Sequence, residues 1–567
     1  MGGGIRKHLR ALYGEAVAHE VSLEIEARLA RLEPKKDLAH EWGPEDALLI
    51  VYADAIQQAG EAPLRTLGRF LDERLQGIIS QVHLLPFFPY TSDDGFAVSD
   101  YRAVDPKHGG WDEIERLSED FDLVFDLVIN HASSAHPSFQ EFLRDEAPGN
   151  RYFMTAELDQ DVSAVTRPRA SPLLQTYETA GGPRHVWCTF SRDQVDWDFS
   201  NPEVLLEFVD IVLGYLAHGA SWLRLDAIAY LWKVVGTSCV HLPQAHAVVK
   251  LLRSVVERVN PGAKLLTETN VPLQENLSYF GEQDEAHIVY NFSLPPLLTH
   301  ALMTGYSEAL TRWCQSLPAL PSGCTFLNFV ASHDGIGLRP AEGLLSDEQL
   351  GELIHCVEAF GGKLTKRTRP DGSLGVYEAN ISLFDALGGT LDGHDRWQVD
   401  RFLVAQGVMM SLAGVPAFYY NTLLAAPNDH EGLERTGRYR SLNRKKWDLA
   451  EVERRLSDPS GAPASVFSAI AEMLTVRRGL SAFHPEAPQV CLSVDKRAFV
   501  LARGEEGSAS RVLCVFNLSR DELELSRASL AIEPRASLQL RYSRGVTLDD
   551  HDTVRCTAYG VAWLELG

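Results

Sequence analysis

The chain lacks any run of the roughly 18 consecutive apolar residues that a bilayer-spanning helix requires, and its opening stretch, MGGGIRKHLRALYGEAVAHE, contains no uninterrupted apolar segment of the signal-sequence kind. A cytoplasmic protein with no membrane partner is expected. Cysteine is sparse and never in CxxC spacing: the eight, at 188, 239, 314, 324, 356, 491, 514 and 556, lie mostly in apolar runs such as RVLCVFN. That excludes a disulfide framework and points to buried free thiols. Positive charge is also in deficit, with 53 Lys and Arg against 77 Asp and Glu and a net charge of −24. Nucleic acid is excluded as a general partner, and any anionic substrate must be held by local cations working against the overall field. No His pair stands at i, i+4 beside a carboxylate, and the two histidines of HLPQAH are five apart in a Pro-containing segment. No metal site of the zincin kind is expected, and no organic cofactor either. Repeats and low-complexity tails are missing as well.

What is present is a long chain, 567 residues with 45% hydrophobic content, enough to bury one large core carrying inserted and appended domains. Apolar positions at helical spacing (Ile5, Leu9, Leu12, Tyr13, Val17) predict a helical extension over residues 1–45. Strand-like runs then alternate with helical stretches: ALLIVYAD, GIISQVHLLPF, LVFDLVINH, SWLRLDAI, KLLTET, IVYNF, TFLNFVASHD and VPAFYYN. Eight such units predict an α/β (β/α)8 TIM barrel. Its parts fall at 46–131, 187–336 and 396–484, interrupted by Ser-, Pro- and charge-rich insertions at 132–186 and 337–395 that are too long for ordinary connections. Short alternating strands over 485–567 predict a carboxy-terminal antiparallel β domain.

Three carboxylates follow such strands: Asp226 in SWLRLDAIAY, Glu268 in KLLTETN and Asp334 in FLNFVASHDGIG. At the carboxyl ends of parallel barrel strands they would share the face where barrel active sites lie. Paired carboxyl groups suit glycosidic chemistry, because one ionised oxygen attacks the anomeric carbon while a protonated partner hands a proton to the departing oxygen. Arg224 lies two residues before Asp226 on the same strand face and is expected to hold it ionised, whereas Glu268 lacks so near a cation and suits a group that keeps its proton. A lone Asp or Glu after a strand often only caps the next helix. Three in one pattern argue for a site.

The segments DLVINH, WLRLDA, LLTET and FVASHD, in that order, resemble the four short conserved regions of the α-amylase clan, glycoside hydrolase family 13, and the likeness covers nearly the whole chain. The resemblance implies that Asp226 is the nucleophile, Glu268 the general acid/base and Asp334 the carboxylate that fixes the sugar hydroxyls, with His131 and His333 as sugar ligands. LLPFFPYTSDDGFAVSDY, GTSCVHLPQAH, FSLPPLLTHALMTG and YYNTLLAAPND are more similar to the sucrose phosphorylase group than to starch hydrolases. That likeness implies that Asp94 and Arg440 pair across the glucose subsite over a Phe96 platform, that Gln194 lies on the acceptor side, and that Arg167 and Arg169 belong to the phosphate side.

HLPQAH, the RTGRYRSLNR stretch and the longer amino terminus look more like glucosylglycerate phosphorylases, which makes D-glycerate the expected acceptor. A small carboxylate acceptor needs cations or hydrogen-bond donors, and Lys233, His241, Gln244 and Arg438 are candidates by their place on mouth-forming loops. The expected reaction is retaining, reversible phosphorolysis of an α-glucoside to α-glucose 1-phosphate. The expected partners are the small α-glucoside and inorganic phosphate, a co-substrate; a homodimer is compatible with the sequence. Sucrose, sucrose 6-phosphate or glucosylglycerol phosphorolysis on the same machinery is the nearest rival. A small-substrate α-glucosidase or transglucosidase stands next.

Overall fold

The computed structural model describes residues 3–32, 41–368, 374–508, 510–533, 536–549 and 553–567. The eight expected strands form a closed parallel barrel: β1 (Leu48–Val51), β2 (Gln81–Leu84), β3 (Asp122–Leu127), β4 (Ala220–Leu225), β5 (Lys264–Thr267), β6 (Ile288–Tyr290), β7 (Thr325–Phe329) and β8 (Val415–Tyr419). Each strand pairs with its sequence neighbours, and β1 closes the ring by aligning Leu48 with Ala417 of β8 on one side and Gln81 of β2 on the other. The strands are buried almost throughout, as their Val-, Ile- and Leu-rich text requires when helices cover the outer face.

Several covering helices start with proline in their first turn, among them Pro63–Arg74, Pro202–Ala217 and Pro243–Val259. The ring presets φ there and removes an N–H that would lack a partner. The amino-terminal helix Gly3–Leu29 lies against two of these, Pro202–Ala217 and Pro243–Val259, burying Ile5, Leu9, Val21 and Ile25. It breaks at Gly14 (φ 78), a left-handed conformation that glycine takes without steric penalty.

Between β3 and β4 the chain builds the helix Pro137–Arg144, a hairpin of Leu174–Thr179 with Gly182–Trp187, and a two-stranded sheet of His131–Ser133 with Gln194–Asp196. After β7 it builds a three-stranded antiparallel sheet from Ile336–Gly337, Leu374–Asn380 and Lys363–Thr368, beside the helix Asp347–Ala359. A six-stranded antiparallel sheet follows the barrel. Buried arginines pin that sheet and the last helix to the barrel: Arg503 donates to the Ser411 and His484 carbonyls (both 2.8 Å), and Arg477 to those of Met410, Asp46 and Phe483. All eight cysteines are buried and free. Among the described residues no helix is long and apolar enough to cross a membrane.

Candidate active site

Asp226 and Glu268 are the residues that follow β4 and β5, and Asp334 lies five residues beyond β7. All three line one cavity of ≈ 670 Å³, counted to its open mouth, at the carboxyl ends of the barrel strands. Phe96, His131, Gln194, His333 and Arg440 line it too, so most of the expected sugar ligands come together. Phe96 stacks on His333 with ring centroids 5.1 Å apart. His131 Nε2 lies 2.9 Å from the Phe96 carbonyl and 3.1 Å from the Gln194 amide nitrogen.

Beneath this floor runs a buried ionic chain. Arg224 on β4 pairs with Asp226 (2.9 Å) and with Asp126 of β3, whose other oxygen meets His83 of β2 at 2.7 Å. Arg224 is therefore not a lining residue but the support of one. The expected ion pair to Asp226 exists, yet the guanidinium is shared with Asp126, and its effect is smaller than foreseen. Burial pushes the Asp226 carboxyl well above its ordinary range, Arg224 opposes it, and Glu268 adds to the rise. Glu268 is raised by burial as well, against the pull of Arg224 and an N–H donated by Ala227 (3.0 Å). Asp334 goes the other way: burial alone would raise it, but Arg440 at 2.6 Å, His333 and Arg444 at 3.4 Å hold it well below the usual carboxylate range.

The pairing expected between Asp94 and Arg440 is replaced by two separate ones. Asp94 points away from the cavity to Arg444 (2.5 Å) and, at 3.8 Å, to Arg438. Its neighbour Asp93 is the aspartate that lines the cavity, 3.3 Å from the Gln194 amide. The reason is backbone geometry: Asp93 and Asp94 both have positive φ (55 and 50), so the turn sends successive side chains in directions an extended DDGF segment would not. Gly95 (φ 112) is required there, since a Cβ would stand 2.6 Å from the Pro86 carbonyl oxygen. Arg440 instead joins Asp334 to Glu378, 3.1 Å away on the insert strand Leu374–Asn380.

Of the phosphate-side arginines, Arg169 lines both the inner cavity and the wider mouth next to it. Arg167 lines neither; it is half-buried and spends a guanidinium N–H on the Ser171 carbonyl. Three of the four acceptor candidates are elsewhere. Lys233 is committed to Asp196 (2.9 Å) and Asn130 (2.8 Å) inside the fold. His241 lies 3.0 Å from the Tyr279 hydroxyl and 3.1 Å from Glu275, facing the amino-terminal helix. Gln244 sits in the first turn of Pro243–Val259 and lines none of these cavities. Arg438 does line the mouth, half exposed. Proximity in sequence to a mouth loop does not say which way a side chain turns.

Functional neighbours the sequence reading missed are Asp93, Arg444, Asp126, Glu378, Tyr377 and Tyr230. Asp126 had a signal, a lone carboxylate inside the apolar run LVFDLV, since a buried charge needs a partner. Glu378 and Tyr377 had none, because the insert strand that carries them reaches the barrel mouth only through tertiary folding. Among the described residues no group of three or more His, Cys, Asp or Glu side chains is placed to hold a metal ion.

Several histidines are buried in neutral form. Burial pushes His333 down to about 3, and His136 and His287 down to about 4. The Nδ1 of His136 accepts the Ser138 N–H and that of His287 the Leu265 N–H, roles a protonated nitrogen cannot fill. A folded pKa below the unfolded value of about 6.5 means the unfolded chain binds more protons between the two, so stability is complete above about pH 6.5 and falls as pH drops toward 4. Each such histidine contributes about 1.4 kcal/mol per pH unit in that window. Urea unfolding at pH 7, 6 and 5 is expected to show a clear loss at each step; a flat profile down to pH 5 would refute the assignment.

A parallel barrel with four carboxylates, two histidines and two arginines gathered over one cavity at its strand ends defines an enzyme of the sugar-transferring barrel class. The "Alpha amylase, catalytic domain" family profile matches residues 75–334. The chain is 44% identical over 528 residues to the glucosylglycerate phosphorylase of Spirochaeta thermophila, covering 92% of this chain and 89% of that one. It is 31% identical to the sucrose phosphorylase of Bifidobacterium adolescentis, covering 77% and 85%. The crystal structure of sucrose 6F-phosphate phosphorylase from Thermoanaerobacter thermosaccharolyticum superposes with a TM-score of 0.73 at 24% identity, covering 84% of this chain and 94% of that one, and shares the fold. The chain belongs to the α-amylase family, glycoside hydrolase family 13.

Proposed function

We propose that the protein is a retaining glycoside phosphorylase that converts 2-O-(α-D-glucosyl)-D-glycerate and phosphate reversibly to α-D-glucose 1-phosphate and D-glycerate. Support comes from the relatives named for that activity and from one feature of the cavity. Two arginines line it; Arg440 is neutralised twice, by Asp334 and Glu378, while Arg169 has no carboxylate partner among the described residues and leans on the Tyr377 ring at 5.7 Å. An uncommitted guanidinium beside the carboxylates is what an anionic acceptor or phosphate needs and what water does not.

In the first step an Asp226 oxygen attacks C1 of the glucosyl unit, the C1–O bond to glycerate breaks, and Glu268 protonates the departing oxygen. Asp226 meets the Arg224 guanidinium directly at 2.9 Å, whereas Glu268 makes no ion pair among the described residues, so the attacking charge falls to Asp226 and the transferable proton to Glu268. Asp334, ionised between Arg440 and Arg444, takes sugar hydroxyls as donors. In the second step a phosphate oxygen attacks C1, its proton passes to Glu268, and the ester to Asp226 breaks. Two inversions leave the α configuration. The Asp334–Arg440 pair, backed by Glu378, walls one side of the cavity, which suits a single terminal glucosyl unit.

The test is a panel of α-glucosides, glucosylglycerate, sucrose, sucrose 6-phosphate and glucosylglycerol among them, incubated with and without phosphate. Release of α-glucose 1-phosphate from glucosylglycerate in preference to the others is expected. Release of free glucose regardless of phosphate would replace this function by plain hydrolysis.

A further inference from the structure

Glu378 is a carboxylate buried to 2% exposure, contributed not by the barrel but by the sheet inserted after β7. Its two oxygens grip Arg440 as a fork, Oε1 accepting from Nη2 at 3.1 Å and Oε2 from Nε at 3.3 Å, which fixes the guanidinium plane. The remaining arm, Nη1, then falls 2.6 Å from Asp334. Oε1 also accepts the backbone N–H of Gly335 at 2.9 Å, the residue directly after Asp334. Strand pairing of Gly337 with Glu378 and Ile336 with Ala379 holds this arrangement along the backbone that leaves the site. Glu378 thus touches both the cation that sets Asp334 and the peptide that carries it.

Its charge has a second effect. Glu378 and Arg440 also line the outer mouth, beside Arg169, Lys366 and Arg438. With Glu378 ionised, Arg440 is neutralised by two carboxylates and offers nothing to an entering anion. With Glu378 uncharged, Arg440 would be a second anion trap next to Arg169.

We infer that Glu378 is a positioning and specificity-determining residue: it aims Arg440 at Asp334 and, by holding that arginine's charge, leaves the entering anion to Arg169. This rests on the function proposed above, and the experiment separates the two. The probe donor is α-glucosyl fluoride, which forms the Asp226 ester without phosphate and is turned over at a fixed phosphate concentration, and the probe anion is sulfate, which cannot be transferred. E378Q keeps size and loses charge. Its kcat on the fluoride is expected to fall by roughly tenfold or more as Arg440 loosens over Asp334, while the inhibition constant for sulfate falls roughly fivefold because Arg440 becomes available. E378D keeps the charge on a shorter stem, so sulfate inhibition should stay within about twofold of wild type while kcat is only partly restored.

A merely structural role would lower melting temperature and kcat in both variants and leave sulfate inhibition unchanged or weaker; that result overturns the inference. Unchanged kcat in E378Q overturns it equally. If E378Q does not fold, E378N takes its place as the neutral variant: sulfate must inhibit it more strongly than it inhibits E378D, and equal sulfate inhibition in the two overturns the inference. Should the wild type turn over the fluoride with no response to phosphate, phosphorolysis fails as the function, and the comparison of Glu378 variants still stands.

Discussion

Asp226→Asn is expected to abolish glucosyl transfer, lowering kcat by roughly 10⁴- to 10⁶-fold, while leaving the protein folded and at least as stable as before. The size is kept and only the attacking charge is lost. The stability half follows from the site itself, because Asp226 is buried beside Glu268, Asp126 and Asp334, and burial together with these like charges disfavours its ionised form. Arg224 retains Asp126 as a partner when Asp226 becomes neutral. A functional carboxylate held against its environment is a common place for activity and stability to oppose one another. Glucose 1-phosphate release and a melting curve on the same preparation check both halves. Residual activity within about a hundredfold of wild type would remove Asp226 from the nucleophile role.

The second large effect concerns phosphate. Arg169→Ala is expected to lower kcat/KM for phosphate by about 10²-fold, equivalent to about 2.7 kcal/mol, with a similar loss for D-glycerate in the reverse direction. Formation of the covalent glucosyl ester from a neutral donor such as α-glucosyl fluoride should stay close to wild type, since Arg169 makes no ion pair with Asp226, Glu268 or Asp334. Arg167→Ala serves as the comparison: its guanidinium is turned to the Ser171 carbonyl, and its loss should disturb the loop rather than the anion. Measured constants for phosphate that fall equally in both variants, or in neither, would contradict the division drawn between them.

These two arginines show how far sequence pattern carries and where it stops. VTRPRASPLL marks a segment with two cations, and nothing in its text says that the second one faces the cavity. The same limit appears at DDGF, where consecutive aspartates are indistinguishable by type and positive φ at both positions decides which one lines the site. Lys233, His241 and Gln244 are candidates by their place on mouth-forming loops, whereas in the structure Asp196, Asn130, Tyr279 and Glu275 supply the nearer partners for the first two. By contrast Arg224 and Asp226 were legible together, because a two-residue step on a strand keeps side chains on one face whatever surrounds them.

By itself the sequence determined the eight barrel strands, their order, and the strand ends at which Asp226, Glu268 and Asp334 stand, because alternation of apolar strand and amphipathic helix is a local property that parallel pairing has to obey. Only the tertiary structure decided which cations those carboxylates meet. Along the chain Arg440 lies 62 residues from Glu378 and Arg444 lies 110 from Asp334, and their pairing is set by how the inserted sheet and the loop after β8 close over the barrel. Electrostatic interaction depends on distance in space and on burial, neither of which is written in spacing along a chain.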